Sequence, residues 1–143
     1  MPTACRPGSG GEAMGFRVTV YYEDTDMGGI VYHANYLKYI ERARSHWVRT
    51  LGIDQVALRD EGTVFAVRRV EAEFLASARL DDVLDVTTAL VDASGVRVRL
   101  EQVVQRGGQA LFRAQVELVA IDWRSGAVRR MPAALRALKE PRD

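Results

Sequence analysis

The sequence predicts an α+β fold in which one long central helix lies against a curved antiparallel β-sheet. One stretch of the chain carries apolar residues at helical spacing. The chain from residue 64 to about residue 123 instead alternates apolar and polar side chains, as strands do. Because only short turns interrupt that alternation, the long strands are expected to run antiparallel.

Length and composition describe one ordinary domain. The 143 residues are 48% hydrophobic and 27% charged, which is typical of a single globular domain. The 20 Lys and Arg residues nearly balance the 19 Asp and Glu residues, so the formal charge of +1 predicts no nucleic acid partner. No apolar run is long enough to cross a bilayer, and no hydrophobic signal region occurs at the N-terminus. We therefore expect a cytoplasmic protein without membrane insertion.

Residues 1–15 are expected to form a disordered N-terminal extension, because they hold four glycines and two prolines and have no apolar period. Met14 is a second candidate start of translation. The single domain then spans residues 16–143. Its first strand is predicted at residues 16–22, where the apolar side chains on one parity are Phe16, Val18, Val20 and Tyr22.

The central helix is predicted from a stripe of apolar residues at spacings of three and four. Asn35 suits the N-cap of this helix, and Gly52 suits its C-terminal end. A shorter helix is predicted over residues 54–60, ended by Gly62, and a terminal helix over residues 132–139. The stripe residues are Tyr36, Ile40, Ala43, Trp47 and Leu51.

The strand region is divided by short turns at residues 80–82, 93–95 and 106–109. The last turn contains Gly107 and Gly108, a strong hairpin signal. Apolar side chains also occur on the parity that faces away from the helix, which predicts a homo-oligomer in which sheets or edges pair. These outward residues are Leu111, Val119 and Ile121.

The stretch between the first strand and the helix is the candidate for chemistry. Three carboxylates occur within four residues, at Glu23, Asp24 and Asp26, and two glycines follow them. The backbone N–H groups of residues 32–36 lie at the helix start, where they lack helical partners and sit at the positive end of the dipole. A carboxylate beside free N–H donors suits acyl transfer, since one group attacks or activates water and the others stabilise the carbonyl oxygen.

Two other interpretations of this stretch stay open. The carboxylates could cap turns and face solvent, as in many acidic loops. They could instead bind a hard cation, although no glutamate arrives at the twelfth position of an EF-hand loop. One cysteine, Cys5, and two histidines provide no Cys or His cluster, so no metal site built on these two residue types is predicted.

The same stretch resembles the active-site loop and central helix of a known family. Residues 24–36 read DTDMGGIVYHANY, and residues 39–44 read YIERAR. They are similar to the 4-hydroxybenzoyl-CoA thioesterase family of hotdog-fold proteins, and most similar to the acyl-CoA thioesterases associated with the Tol-Pal system. The resemblance covers about residues 16–138. It implies a hotdog fold, a long central helix wrapped by a curved antiparallel β-sheet.

The resemblance also implies particular site residues. The catalytic aspartate of the family matches Asp26, and the backbone N–H that polarises the thioester carbonyl matches that of His33. Tyr32, Gly29 and Tyr36 are the predicted substrate-binding residues. No basic cluster in the sequence matches a binding site for the phosphates of coenzyme A.

The function implied by the resemblance is that of an acyl-CoA thioesterase, which hydrolyses acyl-CoA to the free acid and coenzyme A. No metal or redox cofactor is expected. Coenzyme A is part of the substrate and is not a cofactor here. Asp26 would act as nucleophile or as general base, and both mechanisms stay open. Family members bind ligand at a dimer interface, so a homodimer or homotetramer is expected.

Three alternatives stay open beside this function. Glu41 on the helix matches the catalytic carboxylate of another hotdog subgroup, although it could simply pair with Lys38 or Arg44. The chain could instead act on carrier-protein thioesters, or dehydrate a substrate by pairing His33 with Glu41. A non-catalytic scaffold protein of the cell envelope is the third alternative.

Overall fold

The computed structural model describes residues 14–139, so most of the predicted N-terminal extension, residues 1–13, lies outside the described residues. Over the described residues, six strands form one antiparallel sheet, and three α-helices accompany it. In chain order these elements are β1 (Met14–Thr19), α1 (Asn35–Thr50), α2 (Gln55–Asp60), β2 (Thr63–Phe74), β3 (Val83–Ala93), β4 (Arg97–Arg106), β5 (Gln109–Asp122), β6 (Val128–Arg129) and α3 (Ala133–Arg136).

The predicted fold class and the predicted long helix are confirmed. The short helix α2 is also found, and its N-cap is Asp54, whose Oδ1 accepts the N–H groups of Val56 at 2.9 Å and Ala57 at 3.2 Å. The predicted terminal helix is shorter in the structure, because α3 passes into a 3₁₀ turn, Ala137–Lys139. Within residues 14–139, no helix has the length and apolar character needed to cross a membrane.

The pairing of strands follows the predicted hairpins only in part. β3, β4 and β5 pair in sequence order, and the β4–β5 turn places Gly107 and Gly108 at φ values of 56° and 88°, which glycine adopts most readily. β2 does not pair with β3, which follows it in sequence, but with β5. The order across the sheet is therefore β1-β3-β4-β5-β2, with β6 also beside β5, and β2 lies at an edge.

The first strand differs from its predicted limits at both ends. Met14 and Gly15, which the sequence assigned to the disordered extension, pair with β3 as part of β1. Tyr22 is the last residue of the predicted strand, but in the structure it opens a 3₁₀ turn, Tyr22–Asp24, and is exposed. Strand β1 ends at Thr19, and the 3₁₀ turn that leads towards α1 already begins at Tyr22.

Helix α1 packs its apolar stripe against the inner face of the sheet. Four of the five predicted stripe residues are buried, and Leu51 is half-buried at the helix end. Tyr39 and Val48 are buried as well and widen the stripe. The strand residues buried in the same core include Leu84, Val86, Val98, Leu100, Val104, Phe112, Ala114 and Val116.

A fully buried glutamine joins the helix to the sheet. Gln102 on β4 is 0% exposed, and its Nε2 donates to the Ile40 carbonyl and to Thr88 Oγ1, both at 2.9 Å. Its Oε1 accepts from Arg44 Nη1 at 3.0 Å. Buried polar groups are stable only with such partners, so this cluster fixes where the middle of α1 sits on the sheet.

We expect Gln102→Ala to lower the free energy of unfolding by about 2–4 kcal/mol, because it leaves buried partners unpaired and opens a cavity. Urea denaturation measures this loss. Gln115→Ala is the matched control, since Gln115 faces outward and its amide bonds only Glu101, at 3.3 Å, among the described residues. A loss no larger than that of the control would contradict the structural role of Gln102.

The outer face of the sheet carries polar side chains beside the predicted apolar ones. Arg113 and Glu101, for example, form an ion pair at 3.9 Å on this face. Leu111, predicted to point outward, is fully buried within its own chain. Val104 pairs with Phe112 and Gln105 pairs with Ala110, so Leu111 is the extra residue of a bulge in β5, where the alternation of faces is interrupted. Leu111 therefore gives no support to oligomer formation through the sheet face.

Candidate active site

The loop between β1 and α1 folds back on itself in a tight turn. The Asp26 N–H donates to the Ile30 carbonyl, and the Gly29 N–H donates to the Asp26 carbonyl, both at 2.9 Å. Gly29 has a φ of 78°, so the turn itself requires glycine. On each side of the turn, Thr25 and Val31 form a bridge. These bonds hold Asp26 at a defined point just ahead of the helix.

The carboxylate of Asp26 is exposed and has one oxygen available. Its Oδ1 accepts the Gly28 N–H at 2.8 Å, and no other group among residues 14–139 donates to this carboxylate. A side chain at Gly28 would crowd Oδ1, because an added Cβ would lie 3.3 Å from it. The turn therefore orients Asp26 and leaves Oδ2 free to meet a substrate or a water molecule.

The backbone carbonyl of Asp24 binds the chain at the start of α1. The Asp24 carbonyl accepts both the Tyr32 N–H and Asn35 Nδ2, each at 2.9 Å. Asn35 was predicted as the N-cap, but the N-cap is Ala34, which has no side-chain cap, and Asn35 is the first helical residue. The Asn35 side chain acts across the loop instead of along the helix, a long-range contact that local sequence rules do not reveal.

Fewer N–H groups are free at the helix start than the sequence suggested. The Tyr32 N–H is bound to Asp24, while the N–H groups of Asn35 and Tyr36 donate to the carbonyls of Tyr32 and His33. Among the described residues, neither the His33 N–H nor the Ala34 N–H has an acceptor. The His33 N–H also lies at the positive end of the α1 dipole, so it is a donor able to bind an electron-rich oxygen.

Asp26 and His33 line the same groove. The groove has a volume of about 380 Å³, and its lining includes Asp26, Ile30, Val31, His33 and Tyr36. Residues 74–77, Phe74-Leu75-Ala76-Ser77, line the same groove, and we call them the wall segment. The fold thereby places Asp26, His33 and a largely apolar segment around one space.

The three predicted substrate-binding residues lie at different places. Tyr36 lines the groove, is nearly buried, and stacks on Phe112 with ring centroids 5.0 Å apart. Its hydroxyl accepts the Ala78 N–H at 3.0 Å, and burial raises the pKa of this hydroxyl. Tyr32 and Gly29 do not line the groove, although the Tyr32 ring lies 4.7 Å from the His33 ring.

The wall segment was not recognised as part of a site from the sequence. Phe74 is 53% exposed at the end of β2, and its ring lies 6.0 Å from that of His33 and 5.8 Å from that of Tyr36. Leu75 is also exposed. The available signal was the pair of large apolar residues Phe74-Leu75 where the alternating pattern of β2 ends, because an apolar patch at the surface often marks a binding site.

The other candidate carboxylates lie elsewhere. Asp24 is buried, with Oδ2 accepting the Tyr21 N–H at 2.8 Å, so it has a structural role and is not a free acid. Glu41 lines a different groove and accepts a hydrogen bond from Ser45 at 3.1 Å. Within one chain, Glu41 is therefore not placed beside Asp26 or His33. No ion pair of Glu41 occurs within the described part of the chain.

The three acidic residues of the loop do not gather around one point. Asp24 is buried, while Glu23 and Asp26 are exposed. Among the residues that the structure describes, no group of three or more His, Cys, Asp or Glu side chains is arranged to hold a metal ion.

A helix wrapped by an antiparallel sheet, with a carboxylate-bearing turn at the helix start, defines a hotdog protein of the thioesterase type. Residues 20–138 match the sequence profile of the thioesterase-like superfamily. The chain belongs to this superfamily.

Individual relatives agree with that assignment. The chain is 41% identical over 108 residues to the acyl-CoA thioesterase YbgC of Haemophilus influenzae, covering 75% of this chain and 79% of that protein. It is 39% identical over 121 residues to the acyl-CoA thioester hydrolase YbgC of Escherichia coli O157:H7, covering 84% and 90%. The crystal structure of a probable thioesterase from Bartonella henselae superposes with a TM-score of 0.80 at 35% identity, covering 84% of this chain and 99% of that one.

Proposed function

We propose that the chain is an acyl-CoA thioesterase that hydrolyses acyl-CoA to a free acid and coenzyme A. The observation that carries this proposal is that one groove is lined both by Asp26, which is exposed, and by His33, whose N–H has no acceptor among the described residues. Relatives at 39–41% identity that bear the names acyl-CoA thioesterase and acyl-CoA thioester hydrolase support it. The cytoplasm stays the predicted location.

In the proposed reaction, the thioester carbonyl oxygen accepts the His33 N–H, which stabilises the negative charge that develops on that oxygen. Asp26 then either attacks the carbonyl carbon or removes a proton from an attacking water. In the first case, an acyl–aspartyl anhydride forms and water hydrolyses it. In both cases, the carbon–sulfur bond breaks and the thiolate of coenzyme A leaves and takes up a proton.

The wall segment is the proposed contact for the acyl side of the thioester. Phe74, Leu75 and Ala76 give this side of the groove an apolar surface, and apolar surface buried on binding favours association. Tyr36 would form the floor, because it lines the groove, is buried, and has its hydroxyl already bonded to Ala78. Tyr32 and Gly29 keep their proposed roles at the margin of the site.

A panel of thioesters tests this function. Purified protein is assayed for thiol release from acyl-CoA of several chain lengths, from an aromatic acyl-CoA, and from the same acyl groups on a carrier protein. Release from acyl-CoA supports the proposal. Release only from carrier protein favours the carrier-protein alternative, and no release from any thioester favours a scaffold or a dehydratase.

We further propose that the chain assembles as a homodimer or a higher homo-oligomer through the β2 edge. The second half of β2 is exposed on both faces, although it carries the apolar residues Val67, Val70 and Phe74. A long apolar edge strand offers unpaired backbone groups to a second strand. Antiparallel pairing of two β2 edges would create a two-fold interface. This interface would lie beside the groove, since Phe74 belongs to β2 and also lines the groove.

We expect a molar mass of at least twice the 15.9 kDa of one chain at micromolar concentration, measured by light scattering. The double substitution Val67→Asp and Val70→Asp should lower that mass, because like charges would face each other across the paired edges. Val91→Asp, on β3, is the control, since Val91 is similarly exposed but lies away from β2. A monodisperse, active monomer would disprove assembly as a requirement.

A further inference from the structure

The wall segment is held at both ends by groups outside the groove. At its start, the N–H groups of Leu75 and Ala76 both donate to the Leu111 carbonyl, at 2.8 and 3.1 Å. At its end, Arg106 Nη1 donates to the Ser77 carbonyl at 3.1 Å. The first anchor is backbone to backbone, whereas the second depends on one arginine side chain.

Arg106 is itself fixed by an ion pair. Its Nη1 lies 2.7 Å from Asp82 Oδ2, the shortest ion pair found among the described residues, and its Nη2 lies 3.5 Å from Gln109 Oε1. Arg106 and Asp82 are both half-buried. A short, charge-assisted and partly buried pair of this kind is stronger and more directional than an exposed one.

Asp82 connects the pair to the turn that carries Asp26, residues 25–31, which we call the catalytic turn. The Oδ2 of Asp82 also accepts the Arg79 N–H at 2.8 Å, and Arg79 forms a bridge with Ile30 of this turn. Burial raises the pKa of Asp82, but the Arg79 N–H and the Arg106 guanidinium outweigh it and hold this pKa below its usual value. The carboxyl therefore stays charged and able to bind both partners.

Ala78 completes the connection. It lies between Ser77 and Arg79, and its carbonyl accepts the Val31 N–H at 2.9 Å. Its own N–H donates to the Tyr36 hydroxyl at 3.0 Å. The stretch held by Arg106 and Asp82 thus bonds to the catalytic turn through Val31 and to the helix start through Tyr36.

We propose that Arg106 and Asp82 are a positioning pair, which sets the distance between the wall segment and Asp26 and so aligns the thioester for attack. Neither side chain lines the groove, so the pair acts through Ser77 and Ala78 and does not touch the substrate. This inference rests on the proposed function for its kinetic consequence. Its structural consequence is independent of that function.

The kinetic test compares Arg106→Gln, Asp82→Asn and the double variant with the wild type. Each single variant should lower kcat about tenfold while KM changes less, since a 1 Å misplacement of reacting groups can cost about 10²-fold in rate and the loss of one of the two anchors should displace the wall segment by less than that. The double variant should lose no more than either single variant, because the two residues act as one unit. Arg106→Lys, which keeps the charge and can bond both acceptors, should retain more activity than Arg106→Gln.

Arg129→Gln is the matched control. Arg129 also combines an ion pair, with Asp122 at 3.7 Å, and a bond to a backbone carbonyl, that of Glu61 at 3.2 Å. These contacts lie at the start of β2, at the end of that strand away from Phe74. The control should lower the thermal midpoint and leave kcat near the wild-type value. If Arg106→Gln also changed only the thermal midpoint, the pair would be merely structural and the inference would be wrong.

A second measurement does not depend on turnover. Amide hydrogen exchange of Val31 and Ala78 reports the two bonds that link the wall stretch to the catalytic turn and the helix. Both amides should exchange faster in Arg106→Gln and should be unchanged in Arg129→Gln. Unchanged protection in Arg106→Gln would overturn the inference even if the wild type hydrolyses acyl-CoA. Absence of thiol release by the wild type would instead reject the proposed function.

Discussion

We expect Asp26→Asn to reduce the rate of thioester hydrolysis by about 10²–10⁴-fold, the range for loss of a positioned acid or base. The fold should survive, because the side chain is exposed and the amide oxygen can still accept the Gly28 N–H. The substituted side chain has lost the charge that nucleophilic attack or proton removal needs. Steady-state thiol release from an acyl-CoA, with circular dichroism as a fold check, measures the effect.

Two further variants remove the charge of other carboxylates, one as a control and one as a test of an alternative catalytic residue. Glu23→Gln removes an exposed carboxylate from the same loop and should leave the rate near that of the wild type. Glu41→Gln examines the carboxylate used by another hotdog subgroup. Near-normal turnover in folded Asp26→Asn, together with inactive Glu41→Gln, would move the catalytic role from Asp26 to Glu41.

The second large effect is expected at the backbone of His33. His33→Pro removes the N–H and should slow hydrolysis by about 10²–10³-fold, or ~3 to 4 kcal/mol of transition-state stabilisation. Among the described residues this N–H has no acceptor, so its loss breaks no internal bond that the structure records. Proline also restricts the preceding residue, Tyr32, so circular dichroism must show a native fold before the rate is interpreted.

His33→Ala separates the backbone from the imidazole. Alanine keeps the N–H but removes the ring that lies 4.7 Å from Tyr32 and 6.0 Å from Phe74. It should therefore retain more activity than proline. Equal inactivity of the two variants would assign the role to the imidazole, and His33 would then be an acid, a base or a substrate ligand.

The sequence predicts the local elements of this fold well because they depend on nearby residues. The apolar spacing from Tyr36 to Trp47 identifies α1, and the paired glycines at 107 and 108 identify the β4–β5 hairpin. The position of β2 at the sheet edge was not predictable in this way. In the sequence, β3 and β4 lie between β2 and its partner β5. The periodicity of a strand does not indicate which strand it pairs with.

The site likewise combines residues that are close in sequence with residues that meet only in the folded chain. Asp26 and His33 belong to one continuous segment, so a resemblance in that segment could place both. The wall segment lies about forty residues further along the chain and meets them only through the fold. Asn35 and Leu111 were misassigned for a related reason, since a cross-loop hydrogen bond and a bulge override their local patterns.

The central claim is that Asp26 and the His33 N–H act on the same thioester carbonyl. A crystal structure with an acyl-CoA analogue, in which a methylene between the carbonyl and the sulfur prevents hydrolysis, tests it most directly. We predict the carbonyl oxygen about 3 Å from the His33 nitrogen, with the Asp26 carboxylate facing the carbonyl carbon and the acyl group against the wall segment. A carbonyl bound away from both groups would contradict the account.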